Sequence, residues 1–442
     1  APTYNPQMEK GKPYKWNSTR SGGEAGSITQ SKETPTTSIL LKIPAGHYYE
    51  SKDKAGTASL MAAMLNESTT KRSAEDMSKE LQKLGASVGI SAGNSYLAIN
   101  VNTLTKHLDA TLALVYEKLT APAFLTNEFQ RNKSNAIQGA INGKKDAGYL
   151  ASTAYRQLLH ADNIAAISSA GSEASLNNIQ LADVKALYEQ QVQPKGSEII
   201  LVSDLAKDRV LKSLAIFKPL TGAGEKLLLN LPDSTAKAGV IYLVNKDNAA
   251  QSAIRIGKRS LTQDVTGEYY RAYLMNFPLG GAFNSRINLN LREDKGYTYG
   301  ARSYFYGDKF SGVYTASAEV RADVTDKSIV EFVKEIQHYA DKGISDEELA
   351  FMRNAINQKD ALKYETPSSK LSFLAQILEH NLSADFVKQR NEIVKNISKE
   401  EINALAKKHL NIKEMLMVVV GDAKTLKPQL EALGYEVIDY DI

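Results

Sequence analysis

Cysteine is absent from all 442 residues, which excludes disulfide frameworks, thiolate metal sites and cysteine nucleophiles and leaves the redox compartment open. Histidine is scarce. His47, His107, His160, His338, His380 and His409 are the whole set, and no two stand four residues apart. The pair of imidazoles that grips a metal from one helix face is therefore missing. Long apolar runs are missing too. The best stretch, LMVVV at 416–420, falls far short of the roughly 18 residues of a membrane span, so a soluble chain is expected. Basic and acidic residues nearly cancel, 54 against 50, and no run of Lys and Arg forms a phosphate-tracking stripe, which argues against a nucleic-acid partner. Gly280 and Gly281 are not followed by the spacing of a phosphate loop, and no nucleotide site is expected. The sequence opens on Ala1 rather than Met, so processing or trimming is expected, with a periplasmic or otherwise exported location.

What is present is a globular composition, 43% hydrophobic and 24% charged, on a length that predicts two domains. An internal repeat sets their layout. Val184 aligns with Ile402, Ala186 with Ala404, Leu187 with Leu405 and Asp204 with Asp422, all at one offset. The same offset places Tyr96 on Tyr314, inside the strand-like stretches NSYLAINVNT and VYTASAEVRA. A helix-period segment follows each: Leu108, Leu112, Val115 and Leu119 in the first copy, and Ile329, Val333 and Ile336 in the second. Each copy ends on an apolar strand, EIILV at 198–202 and MLMVVV at 415–420. Strand pairs with helices collected between them predict an α+β fold: two tandem homologous domains, each a mixed or antiparallel sheet packed with helices. The predicted domains are 1–222 and 239–442, joined by a linker at 223–238 within the Pro, Gly and Ser/Thr-punctuated stretch Pro219 to Gly239.

The most distinctive run is FPLGGAFNSRINLNLREDKGYTYGARSYF, Phe277 to Phe305. Gly280 and Gly281 mark a turn, a helix-like stretch runs to Leu291, Gly296 breaks it, and Tyr297 to Phe305 alternate as a strand. Arg292 is thus expected at a helix end and Tyr299 on the next strand, where a planar fork of donors and a hydroxyl could converge on a peptide carbonyl. The plain alternative is a salt bridge from Arg292 to Glu293, with Tyr299 packed in a sheet. The aromatic cluster Tyr297, Tyr304, Phe305, Tyr306 and Phe310 is read as sheet core or edge.

This run resembles the second-half signature of the insulinase, pitrilysin and mitochondrial-processing-peptidase family. The resemblance rests on Ser285, Arg286, Leu291, Arg292, Glu293, Gly296 and Tyr299 after the Gly-Gly turn, and the repeat extends it to essentially the whole chain. It implies a LuxS/metallohydrolase-like, processing-peptidase-like half clamshell, with Arg292 and Tyr299 as substrate-binding residues reaching toward a zinc site.

Family peptidases hold zinc with an inverted His-x-x-Glu-His motif on a helix of the first domain, plus a distant Glu. The frame is kept in GTASLMAAMLNESTT, Gly56 to Thr70, but Ser59, Leu60, Met61, Ala62 and Ala63 stand at the five positions. On the later helix Asn132 replaces the usual acid, and Gly139 stands where the third ligand is expected. The second copy's equivalent helix, EYYRAYLMNFPLGG, has no ligands either, and Leu81 and Val88 occupy the first copy's positions for Arg292 and Tyr299. The nearest lookalike, QILEH at 376–380, is read as a coincidence that leaves Glu379 and His380 on a solvated helix face. No metal is expected on this chain. The resemblance implies a non-catalytic subunit, or C-terminal half, of a metallopeptidase. Its partner would be a homologous zinc-bearing chain or a fused N-terminal half, and its substrates unfolded peptides. The alternative is a structural or assembly role, as in the core-like members of the family.

Overall fold

In the computed structural model the described residues are 8–9, 12–13, 16–21, 24–30, 35–192, 196–220, 227–361, 366–383 and 385–442. Among them lie two six-stranded sheets. The first uses β1 (Trp16–Ser21), β2 (Glu24–Gln30), β3 (Thr36–Ile43), β4 (Ser87–Ala92), β5 (Leu97–Leu104) and β6 (Glu198–Ser203), in the order β1-β2-β6-β3-β5-β4. The second uses β7 (Ile241–Asn245), β8 (Gln251–Arg259), β9 (Thr298–Gly307), β10 (Gly312–Arg321), β11 (Leu416–Gly421) and β12 (Val437–Asp439), in the order β9-β10-β8-β11-β7-β12.

The repeat is visible in the pairing. β4-β5-β3-β6-β2 and β9-β10-β8-β11-β7 follow one another strand for strand, antiparallel throughout except for one parallel step, β6 on β2 and β11 on β7. Only the sixth strand differs: β1 joins antiparallel from the N-terminal side, whereas β12 joins parallel from the C-terminal side. Both sheets are mixed and both pack against helices, the α+β arrangement read from the sequence.

The helices that matter for the site are α1 (Thr57–Asn66), α2 (Leu108–Thr120), α3 (Thr126–Gly143), α4 (Ala147–His160), α5 (Glu268–Asn276), α6 (Thr325–Lys342) and α7 (Pro367–Glu379). The predicted stripes are buried. Leu108, Leu112, Val115 and Leu119 lie in one core, and Ile329 and Ile336 lie in the other, with Val333 partly covered beside them.

The chain divides into two compact units, and each takes one helical piece from the other copy. Unit 1 is 1–140, 167–228 and 361–387; unit 2 is 141–166, 229–360 and 388–442. The main crossing, between Leu228 and Leu229, falls inside the predicted linker, of which 221–226 lie outside the described residues. The exchange has a physical reason. β11 is buried along its whole length, and its alternate residues face different layers: Met417 and Val419 enter one core, while Leu416, Val418 and Val420 enter another. A strand apolar on both faces needs cover on both. The second cover is α4, whose Leu150, Ala151, Ala154 and Leu158 pack there. In unit 1, α7 takes the matching place against β2, β3 and β6.

Candidate functional site

The helix that would carry the metal motif is α1. It starts at Gly56, whose φ of 104° suits glycine and where a Cβ would lie 2.8 Å from Leu176. Its first N–H groups are not capped by the N-cap residue. The Glu50 carboxylate accepts from Gly56 N at 3.0 Å and from Ala58 N at 2.7 Å, in the place where an anion meets the positive end of the helix. His47 Nδ1 hydrogen-bonds the same carboxylate, and its Nε2 lies 3.0 Å from the Ile167 carbonyl.

Nothing on α1 suits a cation. The Ser59 hydroxyl donates to the Ser169 carbonyl at 2.7 Å, Ala62 is buried, Leu60 and Met61 are core residues, and Ala63 is half-buried. Gly139 on α3 is exposed, and a Cβ there would touch nothing. Asn132 Nδ2 donates to Glu67 at 3.0 Å and to the Glu128 carbonyl at 2.9 Å. Burial alone would raise the Glu67 carboxyl, but hydrogen bonds from Arg131 and Asn132 hold it below its ordinary value. At the ligand positions, Ser59, Ala62, Ala63 and Gly139 offer one hydroxyl, already spent on a carbonyl, where zinc requires imidazole nitrogens and carboxylates. They do not fit the metal.

Glu379 and His380 are not on a solvated face, contrary to the sequence reading. α7 lies against the sheet of unit 1, and Glu379 pairs with Lys42 at 3.6 Å. Lys42 also lies 3.5 Å from Glu198, and its ammonium sits 4.0 Å above the ring of Tyr96. Burial pushes the Tyr96 hydroxyl well up from its ordinary value. A half-buried carboxylate aimed at a buried lysine is a packing device, which helical periodicity on α7 could not reveal.

Arg292 and Tyr299 stand in a different setting. After α5 the chain makes a π-type turn, Phe277–Gly281, then a single helical turn, Arg286–Asn288, and a second π-type turn, Leu289–Asp294. The predicted continuous helix is thus broken into short pieces. Arg292 sits in the last of them. Gly296, with φ 62°, reverses the chain, and its N–H bonds the Arg292 carbonyl at 3.1 Å while Tyr297 N bonds the Leu291 carbonyl at 2.8 Å. Tyr299 follows on β9 at a register irregularity between Thr298 and Ala301. Such a bulge re-aims a side chain, and Tyr299 is 91% exposed.

The plain alternative for Arg292 is present, but weak. Its Nε lies 3.5 Å from Glu293, with both side chains well exposed, and such pairs contribute about 0–1 kcal/mol. Its guanidinium rests 4.6 Å above the ring of Phe283, itself 61% exposed. The first-copy counterparts behave otherwise: Leu81 is buried with Met77 and Leu114, and Val88 packs against them. Of the aromatic cluster, Phe305 is buried in the core, Tyr297 packs on it, and Tyr306 is exposed at the edge.

Two amides missed in the sequence hold this region. Asn288 donates to the Phe283 carbonyl at 2.8 Å and accepts from Ala301 N at 3.0 Å, which ties the helical turn to the strand that carries Tyr299. Asn290 donates to Glu331 at 2.7 Å and to Glu335 at 2.8 Å, which pins the turn of Arg292 to α6. An asparagine between apolar positions gives no signal of such a role.

Residues 27–165 match the model of insulinase, peptidase family M16, and residues 178–356 match that of the peptidase M16 inactive domain. A Helicobacter pylori protein described as non-peptidase homolog YmxG is 25% identical over 392 residues, covering 87% of this chain and 89% of that one. A crystal structure of a peptidase M16 inactive domain from Pseudomonas fluorescens superposes with a TM-score of 0.85 at 22% identity, covering 92% of this chain and 98% of that one. The periplasmic protease PqqL from Escherichia coli superposes with a TM-score of 0.75 at 14% identity, covering 92% of this chain but 45% of that one.

Proposed function

Because this chain belongs to the insulinase family, peptidase family M16, yet carries none of the family's metal ligands at the aligned positions, we propose that it is the non-catalytic half of a zinc metallopeptidase. In this reading Arg292 and Tyr299 hold a carbonyl of an extended, unfolded peptide, and a homologous zinc-bearing partner performs the hydrolysis. The partner is a separate subunit or a fused half. The match to about half of PqqL supports such a pairing, and that protein's description supports a periplasmic setting.

One observation carries the reading: Arg292 and Tyr299 project to solvent at a π-type turn and a bulged strand, whereas Leu81 and Val88, their first-copy counterparts, are spent on packing. Side chains kept out of the core by local irregularity are the kind that bind. The Arg292 to Glu293 pair favours the second reading, an assembly role, because it gives the arginine a partner without substrate. At 3.5 Å and exposed, it is easily surrendered.

The test mixes the chain with its zinc-bearing homologue and follows cleavage of an unstructured peptide. Arg292→Ala and Tyr299→Phe should each lower the rate by about 10²-fold, the size of losing one oxyanion donor, while association is unchanged. Full activity in both variants would favour the assembly role.

A further inference from the structure

Beside Tyr299, wholly within unit 2, lies a cavity of about 680 Å³. Gly148, near the start of α4, creates the space. A Cβ there would meet Glu319 Oε1 at 2.9 Å, Asp146 Oδ1 at 3.2 Å and Arg255 Nη2 at 3.5 Å. One cation and two carboxylates therefore face a single point, with Tyr149 and Tyr299 among the lining residues.

The charges do not cancel. Arg255 is largely buried, and its fork is already committed: Nη1 to the Ile254 carbonyl at 2.9 Å and Nη2 to Glu319 at 3.0 Å. Glu319 is half exposed, so its charge still reaches the cavity. The Asp146 Oδ1 that faces this point is the same oxygen that accepts from Tyr149 N, at 2.7 Å, to cap α4, and this also consumes the attraction of the helix end for anions. Among the described residues that line the cavity, one negative charge is in excess, beside two tyrosines. Carboxylate and ring faces together select a cation on a flexible stem and reject an acidic group.

We infer that this cavity is a subsite for a lysine or arginine side chain of the peptide held at Tyr299. The inference rests on the peptide-holding role proposed above. It goes beyond that role in naming the side chain accepted and the residues that accept it.

The experiment measures binding of fluorescent, unstructured peptides to the full chain by anisotropy. The peptides differ by lysine or norleucine at each position in turn. At one position lysine should bind about ten-fold more tightly, the scale of a partly desolvated cation between carboxylate and ring. Gly148→Leu, which fills the space, and Glu319→Gln should each reduce that ratio to about one, with thermal melting confirming the fold. Equal affinity of both peptides at every position, or a preference that survives both variants, overturns the subsite. If binding without preference still falls in Arg292→Ala, only the subsite fails. If the preference is present but binding is indifferent to Arg292→Ala, the peptide-holding reading fails and the subsite stands. Absence of binding by every peptide overturns both.

Discussion

Arg286 and Glu348 share a two-pronged ion pair, Nε to Oε1 at 2.6 Å and Nη2 to Oε2 at 2.7 Å, with both side chains mostly withdrawn from solvent. Nη2 also donates to the Gly343 carbonyl at 3.1 Å, and the guanidinium lies 4.8 Å above the ring of Tyr339. The arginine of the Ser-Arg pair therefore braces the turn that leads to Arg292, and is itself mostly withdrawn from solvent.

Removing that brace should cost stability. Arg286→Ala leaves a partly buried carboxylate without its partner, an expected loss of about 2–3 kcal/mol in equilibrium unfolding. Burial would raise the Glu348 carboxyl, but the bonds from Arg286 and Ser345 N outweigh it and hold it below the ordinary value. A depressed carboxyl stabilises the fold above its unfolded pKa, about 4.3, and that contribution is lost as pH falls through the lower folded value. Wild type should lose stability in acid, and Glu348→Gln should lose less over the same window. Parallel curves would show that the pair carries no linkage.

His160 gives a second pH prediction. Burial, followed by the nearby Arg259 and Arg156 guanidinium groups, pushes its imidazole down to about 4. The folded state thus takes up the proton less readily than the unfolded chain, whose value is about 6.5. Stability from the neutral ring is fully present above about 6.5 and declines as pH falls toward 4, by on the order of 3 kcal/mol at most. His160→Gln should flatten urea-unfolding stability between those limits. An unchanged slope in the variant would mean that the ring is solvated.

The two-copy plan was legible because strand alternation and helical periodicity survive in both copies, and Val184 to Leu205 still tracks Ile402 to Ala423. The exchange of α4 and α7 was not. Leu150, Ala154 and Leu158 announce an apolar helix face but do not say which sheet it covers. At the site, the chemistry of Ser59, Ala62, Ala63 and Gly139 could be read directly, since residue type alone decides whether a side chain can ligate. The setting of Arg292 could not be read, because Phe283, Asn288 and Asn290 are generic residue types whose roles depend on two π-type turns that no period predicts.

The account stands on the loss of the metal shell at α1 and α3, and one assay addresses it most directly. The purified chain, supplied with zinc, is incubated with an unstructured peptide before and after addition of a chelator. The expected result is no cleavage in either condition. Cleavage by the isolated chain that the chelator abolishes would contradict it.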